Sequence, residues 1–215
     1  RPMITDDARI VDAQSCQLES WSRRGPGGHE SWALPGCNPW GSMEITAGGA
    51  QLDGSGGASP RLALLQAKTL FRRLEDSPVA YGLALGMTQT RTPSGAYRTL
   101  NEPYAYVPVT VTVVPDRAFV HLNAGLRRDA AASRLQSTWG LGLEAAITPR
   151  VGVIAEAFAQ DAQRSYHQAG LRIWLVPDRW QVDTTLGNRN GQHPGQGPDR
   201  WVSVGVRLLS PPWLR

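Results

Sequence analysis

The stretch YAYVPVTVTV, residues 104–113, alternates almost without a break. Ala105, Val107, Val109, Val111 and Val113 fall on one face, and Tyr104, Tyr106, Thr110 and Thr112 on the other. Period-two alternation marks a strand with one apolar and one polar side. Only Pro108 disturbs it, because proline brings no N–H to a ladder. The same pattern recurs downstream. Ala118, Val120, Leu122, Ala124 and Leu126 oppose His121, Asn123, Gly125 and Arg127. Trp139, Leu141, Leu143, Ala145 and Ile147 oppose Gln136, Thr138 and Glu144. Stretches 166–176, 180–189 and 202–208 behave alike. Weaker stretches at 15–23, 30–37, 42–52, 61–72, 79–90 and 151–160 bring the set to about twelve strands, the faces of 42–52 being the least distinct.

The connections alternate as well. Tight, often proline-marked turns (Asn38-Pro39-Trp40-Gly41, Asp76-Ser77-Pro78, Pro115-Asp116-Arg117, Pro149-Arg150, Pro177-Asp178-Arg179) are interleaved with longer polar ones at 24–29, 53–60, 91–103, 128–134, 161–165 and 190–200. Short periplasmic turns alternating with longer outer loops characterise bacterial barrels. The sequence therefore predicts an all-β fold, a transmembrane antiparallel β-barrel over residues 15–215 with both termini periplasmic. Residues 1–14 show no period and read as a lead-in or plug segment. A soluble sandwich or lipocalin-like barrel also alternates. It turns its apolar face inward, however, and about eight strands suffice for it.

Composition agrees. Glycine (23) and proline (16) are frequent and charged residues are only 19% of the chain, which suits strands and turns better than helices. Lys68 is the only lysine. The arginine bias points either to ordered bidentate pairs or to codon usage. The net charge of +4 is mild and the arginines are scattered, so nucleic-acid binding is not expected. No run of eighteen apolar residues exists, which excludes a transmembrane helix but not a barrel. A chain opening at Arg1 fits export with a signal peptide removed, and localisation in the bacterial outer membrane is expected. Pairing 23/30 and 20/33 across a first hairpin sets Cys16 opposite Cys37, within disulfide reach; two free thiols are the alternative.

With the apolar faces toward lipid, the lumen receives Glu19, Glu44, Lys68, Arg72, His121, Arg127, Glu144, Glu156, Arg172, Asp183 and Arg207. Five acids face five bases and one histidine. Such a ladder either selects solutes or fills the lumen as a salt-bridge network, since buried charges must be paired in both cases. Trp21, Trp32, Tyr104, Tyr106, Phe158, Trp174 and Trp201 share the inner face, where rings beside cations suit an aromatic acid. Trp139 and Trp180, outward, suit the membrane interface. Closing the last outer loop on Arg189 and Trp201 pairs Asp183 with Arg207. Closing the turn at Pro149 on Thr148 and Gly152 sets Glu144 opposite Glu156, with Arg172 to compensate and Trp174 and Tyr106 guiding a solute there.

Arg1-Pro2-Met3-Ile4-Thr5-Asp6-Asp7-Ala8 followed by Cys16-Gln17-Leu18-Glu19-Ser20-Trp21 resembles outer-membrane proteins of the MetA-pathway-of-phenol-degradation type. The closing stretch from Leu171-Arg172-Ile173-Trp174-Leu175-Val176-Pro177-Asp178-Arg179 through Arg207-Leu208-Leu209-Ser210-Pro211-Pro212 is similar to the same group. The resemblance implies an outer-membrane barrel that passes small, often aromatic, compounds, and it supplies no catalytic residues. The chain departs from common barrels in lacking an aromatic final residue, ending Trp213-Leu214-Arg215, which weighs against insertion by the usual assembly route unless Trp213 serves as the anchor.

Enzyme motifs are sparse: no Gly-x-Ser-x-Gly, His-Glu-x-x-His, Cys-x-x-Cys or phosphate-binding glycine loop. His29, His167 and His193 lack metal-ligand spacing, so neither a metal nor another cofactor is expected. The leading expectation is a passive channel for small, aromatic or anionic solutes, with membrane lipid around it. A lipid-modifying enzyme centred on His121 is the second reading, and a structural barrel docking a partner protein the third. A lipid-facing His121 with a serine in reach would favour the second.

Overall fold

The computed structural model describes residues 3–26, 28–53, 59–91, 99–161, 164–190 and 199–212. Trp213 and the loop residues 54–58, 92–98 and 191–198, His193 among them, lie outside that set. Twelve strands follow in order: β1 (Ser15–Gly25), β2 (Gly28–Asn38), β3 (Met43–Asp53), β4 (Arg61–Arg72), β5 (Val79–Arg91), β6 (Thr99–Val114), β7 (Ala118–Asp129), β8 (Arg134–Ala146), β9 (Val151–Asp161), β10 (Arg164–Val176), β11 (Trp180–Arg189) and β12 (Trp201–Leu209). Each pairs antiparallel with its neighbours, and β12 returns to β1 to close the barrel. Closure leaves no strand edge unpaired, which a sheet in lipid requires.

The faces divide as the alternation predicts. Val202, Val204, Val206 and Leu208 of β12 are exposed, whereas Trp201 and Ser203 are buried. Leu141 and Leu143 of β8 and Leu85 and Met87 of β5 continue the outer apolar band, with Trp139 and Trp180 also outward. Glu44, Lys68, Glu156, Arg172 and Asp183 are buried inside. An apolar exterior around a charged interior is the polarity of a lipid-embedded barrel, the inverse of a soluble one.

Prolines shape the ladders locally. Pro108 remains within β6, fully buried and opposite Asn123 of β7. On its other side the β5–β6 register resumes only at Tyr81 opposite Val109 and Ala84 opposite Tyr106, because the missing N–H opens the ladder between them. At the short-turn rim, Arg117 N donates to Val114 O (3.0 Å) and Arg179 N to Val176 O (3.1 Å). Asp116 and Asp178 there take φ of 58° and 56°. Proline before a positive-φ aspartate gives the dihedral sequence of a type II turn.

Three register expectations are corrected. The loop at 24–29 is tighter than read, since β1 and β2 pair through to Gly25 opposite Gly28. Between β8 and β9, Thr148 is consumed by the turn, its hydroxyl accepting from Arg150 N (3.2 Å) and Val151 N (2.9 Å). Pairing therefore begins at Ala146 opposite Gly152, and Glu144 faces Ile154 rather than Glu156. Between β11 and β12, Trp201 lies opposite Gly187, not Arg189, so Asp183 meets Gly205 and Gln181 meets Arg207. The indole dictates this: a Cβ at position 187 would sit 2.2 Å from the Trp201 ring, and only glycine leaves that space.

Candidate functional site

The disulfide Cys16–Cys37 forms at the short-turn rim, with Cα atoms 4.0 Å apart, in the register the hairpin reading gave. From the same rim, residues 3–14 run into the barrel. Ser15 N donates to Asp12 O (3.1 Å), and Gln14 adopts φ 61°, turning the chain from β1 into the lumen. Thr5, Asp7, Ala8 and Val11 are buried there.

Wall side chains meet this segment's main chain. Glu156 accepts from Ile4 N (2.8 Å) and Thr5 N (2.6 Å). Asn123 accepts from Asp6 N (2.7 Å) and donates to Asp6 O (2.9 Å). Thr110 Oγ1 accepts from Ala8 N (2.8 Å), and Glu44 from Val11 N (2.8 Å). Asn38 donates to Val11 O (2.7 Å). The Asp6 carboxylate takes Lys68 Nζ (2.9 Å) and the Tyr106 hydroxyl (2.8 Å). Arg9 lies over the Phe119 ring, 4.3 Å from its centroid, and 3.7 Å from Glu144.

Arg172 organises a second cluster. Directly opposite Asp183 in the register, it donates from Nε (3.1 Å) and Nη2 (2.7 Å) to both carboxylate oxygens. Its Nη1 is 2.7 Å from Glu144. The expected Asp183–Arg207 pair is thus replaced by Asp183–Arg172. Arg207 instead lies opposite Glu19 across the closing seam, 3.5 Å away, and donates to Gln17 (2.7 Å). Arg127 lies 3.6 Å from Glu102, which the sequence reading did not single out. Arg72 leaves the lumen set: a bulge after Leu70 puts it opposite outward Tyr81, and it is exposed. Glu156 is satisfied by Gln168 and the inserted segment, not by Arg172. Trp174 stands at the β10 bulge near the rim, and Tyr104 and Tyr106 both donate to Gln66. Tyr106 is therefore engaged with Asp6 and Gln66. The neutral partners Gln17, Gln66, Gln168 and Gln181 are outside the lumen set expected from the sequence, which follows charges and rings, and Asn123 is read there only as an inner-face residue.

Toward the long-loop rim the inner wall is aromatic. Trp21 and Trp32 stack at 5.2 Å across β1 and β2. Phe158, Tyr166 and Trp201 form a continuous group at 5.5 and 5.9 Å. The Arg23 guanidinium lies 5.4 Å from the Trp201 ring and 2.6 Å from Glu30.

His121 is 1% exposed and faces the lumen, Nδ1 3.0 Å from Thr110 Oγ1 and Nε2 3.5 Å from Glu144. It therefore lacks the lipid-facing placement that would favour a lipid-modifying enzyme centred on it. A different row lies on the outer face near the long-loop rim: Ser22 Oγ is 2.6 Å from His29 Nε2, and His29 Nδ1 is 3.7 Å from Asp53. Among the described residues no group of three His, Cys, Asp or Glu side chains could hold a metal ion.

A family model described as "Uncharacterised conserved protein UCP029691" matches residues 2–209. The chain belongs to this family. No curated protein matches it. Among solved structures, this family member is similar to the KdgM porin, at 13% identity and TM-score 0.66, covering 89% of this chain and 98% of that one. The same porin in complex with disordered oligogalacturonate matches at 12% and 0.63, covering 89% and 98%. The NanC porin matches at 9% and 0.60, covering 90% and 98%. These likenesses give the fold, that of outer-membrane porins. The resemblance read in the sequence is supported at that level, the outer-membrane barrel kind.

Proposed function

We propose that this chain is a bacterial outer-membrane channel through which small anionic or aromatic solutes diffuse, its short turns in the periplasm. One observation carries the reading: an apolar wall encloses a lumen whose long-loop half pairs aromatic faces with Arg23 at Trp201. Rings beside a guanidinium favour flat or sugar-like acids, because the ring stacks and the cation, paired at rest with Glu30, exchanges that carboxylate for the solute's. The oligogalacturonate found with the KdgM porin is an acidic solute of that broad kind. The resemblance to phenol-degradation proteins favours aromatic acids within the class.

Liposome swelling tests it. Proteoliposomes should admit benzoate-sized anions faster than cations of equal size, and Arg23→Ala should narrow the difference. Faster cation entry would contradict the reading.

A lipid hydrolase is the second reading, now carried by Ser22, His29 and Asp53 on the lipid-facing surface. The order is that of a nucleophile, its base and an orienting acid. Release of fatty acid from phospholipid micelles, lost in Ser22→Ala, would favour it. No release above a protein-free control would dismiss it.

A further inference from the structure

We infer that the lumen wall is a binding site for an extended peptide, occupied by residues 3–14 of the same chain, and that solutes pass when this segment withdraws. The first half stands on the wall geometry; the second also rests on the channel reading.

The contacts read main chain. Glu156, Asn123, Thr110, Glu44 and Asn38 each bond backbone N–H or C=O groups of the segment, and Lys68 Nζ adds Asp7 O at 3.3 Å. Asn123 presents a donor and an acceptor to one residue, as a neighbouring strand would. The wall also makes room. A Cβ at Gly140 would lie 2.5 Å from Thr5 Oγ1, and one at Gly142 would lie 2.9 Å from Met3 Cε. Neither glycine has a positive φ, so the space is what they supply.

The seat is suited to release. The segment joins no strand ladder beyond Gln14 N to Asn38 O (2.7 Å), and its buried apolar side chains are the small Ala8 and Val11. Water entering the lumen can replace the hydrogen bonds to neutral side chains at low net cost, whereas a large apolar contact would resist. The bonds to Glu156 and Glu44 and the Asp6–Lys68 pair are the contacts that hold the seat until water or solute ions exchange with them. The hinge is local: the turn at Asp12–Ser15, with Gln14 in the left-handed region, adjoins the Cys16–Cys37 disulfide. That bond holds β1 to β2, so the segment can swing without unzipping the first hairpin.

The test locks the seat in the full chain with Thr5→Cys/Gly140→Cys. A Cβ at 140 would lie 3.2 Å from Thr5 Cβ, close to disulfide spacing. Non-reducing peptide mapping should find the new bond beside the native one. Planar-bilayer current should be low when it is closed and rise on reduction, more than in wild type given the same reductant. Failure of the bond to form in folded barrels would overturn the binding site. Formation with equal current before and after reduction would overturn the withdrawal. No current from any form would overturn the channel reading and the withdrawal with it, while the bond would still uphold the seat. Asn123→Ala, a milder change, should raise the open fraction about tenfold, the effect of losing two hydrogen bonds. An unchanged open fraction there would count against the seat.

Discussion

At the scale of single residues, Arg172 bridges two carboxylates of the lumen. It is buried, bidentate to Asp183 and within 2.7 Å of Glu144. Removing it leaves buried Asp183 without its cation and Glu144 with Arg9 at 3.7 Å, a loss of roughly 3–5 kcal/mol for a broken buried pair. Arg172→Ala should therefore lower the melting temperature of the detergent-folded barrel clearly. Arg172→Lys should recover only part of it, because an ammonium cannot fork onto both Asp183 oxygens. A melting temperature unchanged in the alanine variant would show that the cluster does not stabilise the barrel. This residue was legible in sequence as an inner-face cation near Glu144. Its principal partner was not, because parity tells which face a side chain takes but not how far along the strand its neighbour lies.

At the scale of elements, the strands themselves were the most legible feature, since each carries its own alternation. The first hairpin's register was legible because centring its loop pairs Arg23 with Glu30; the strands pair on to Gly25 opposite Gly28 without changing that register, and Cys16 meets Cys37. The last outer hairpin misled because its long loop allows several closures, and the deciding signal was Gly187 opposite the Trp201 indole. Gly187→Ala should accordingly disturb β11 and β12 together. We expect Trp201 fluorescence to shift and the melt to fall. Unchanged fluorescence and an unchanged melt would argue against that register. The disulfide closes a loop of sequence separation 21, for which removal costs about 3 kcal/mol by chain entropy. Cys16→Ser/Cys37→Ser should melt lower by a corresponding amount, an effect that vanishes when wild type is compared under reductant.

At the scale of the whole molecule, the account turns on which side of the wall meets lipid. Val204 is 52% exposed and near the middle of β12, while its neighbour Ser203 is buried inside. Val204→Arg should cost about 2–4 kcal/mol in a bilayer, the penalty for a midplane charge on a barrel's outer face. Urea unfolding from vesicles measures it, and no loss would place that face away from hydrocarbon. The inserted segment was the least legible part at this scale. Residues 3–14 have no period, and their order comes from wall groups such as Asn123 and Glu156 more than 100 positions away. Single-channel recording of the purified chain in a planar bilayer tests the central claim most directly. The account predicts discrete current steps with anions favoured over cations under a salt gradient. A folded, heat-modifiable barrel that inserts yet carries no current, or carries cations preferentially, would contradict it.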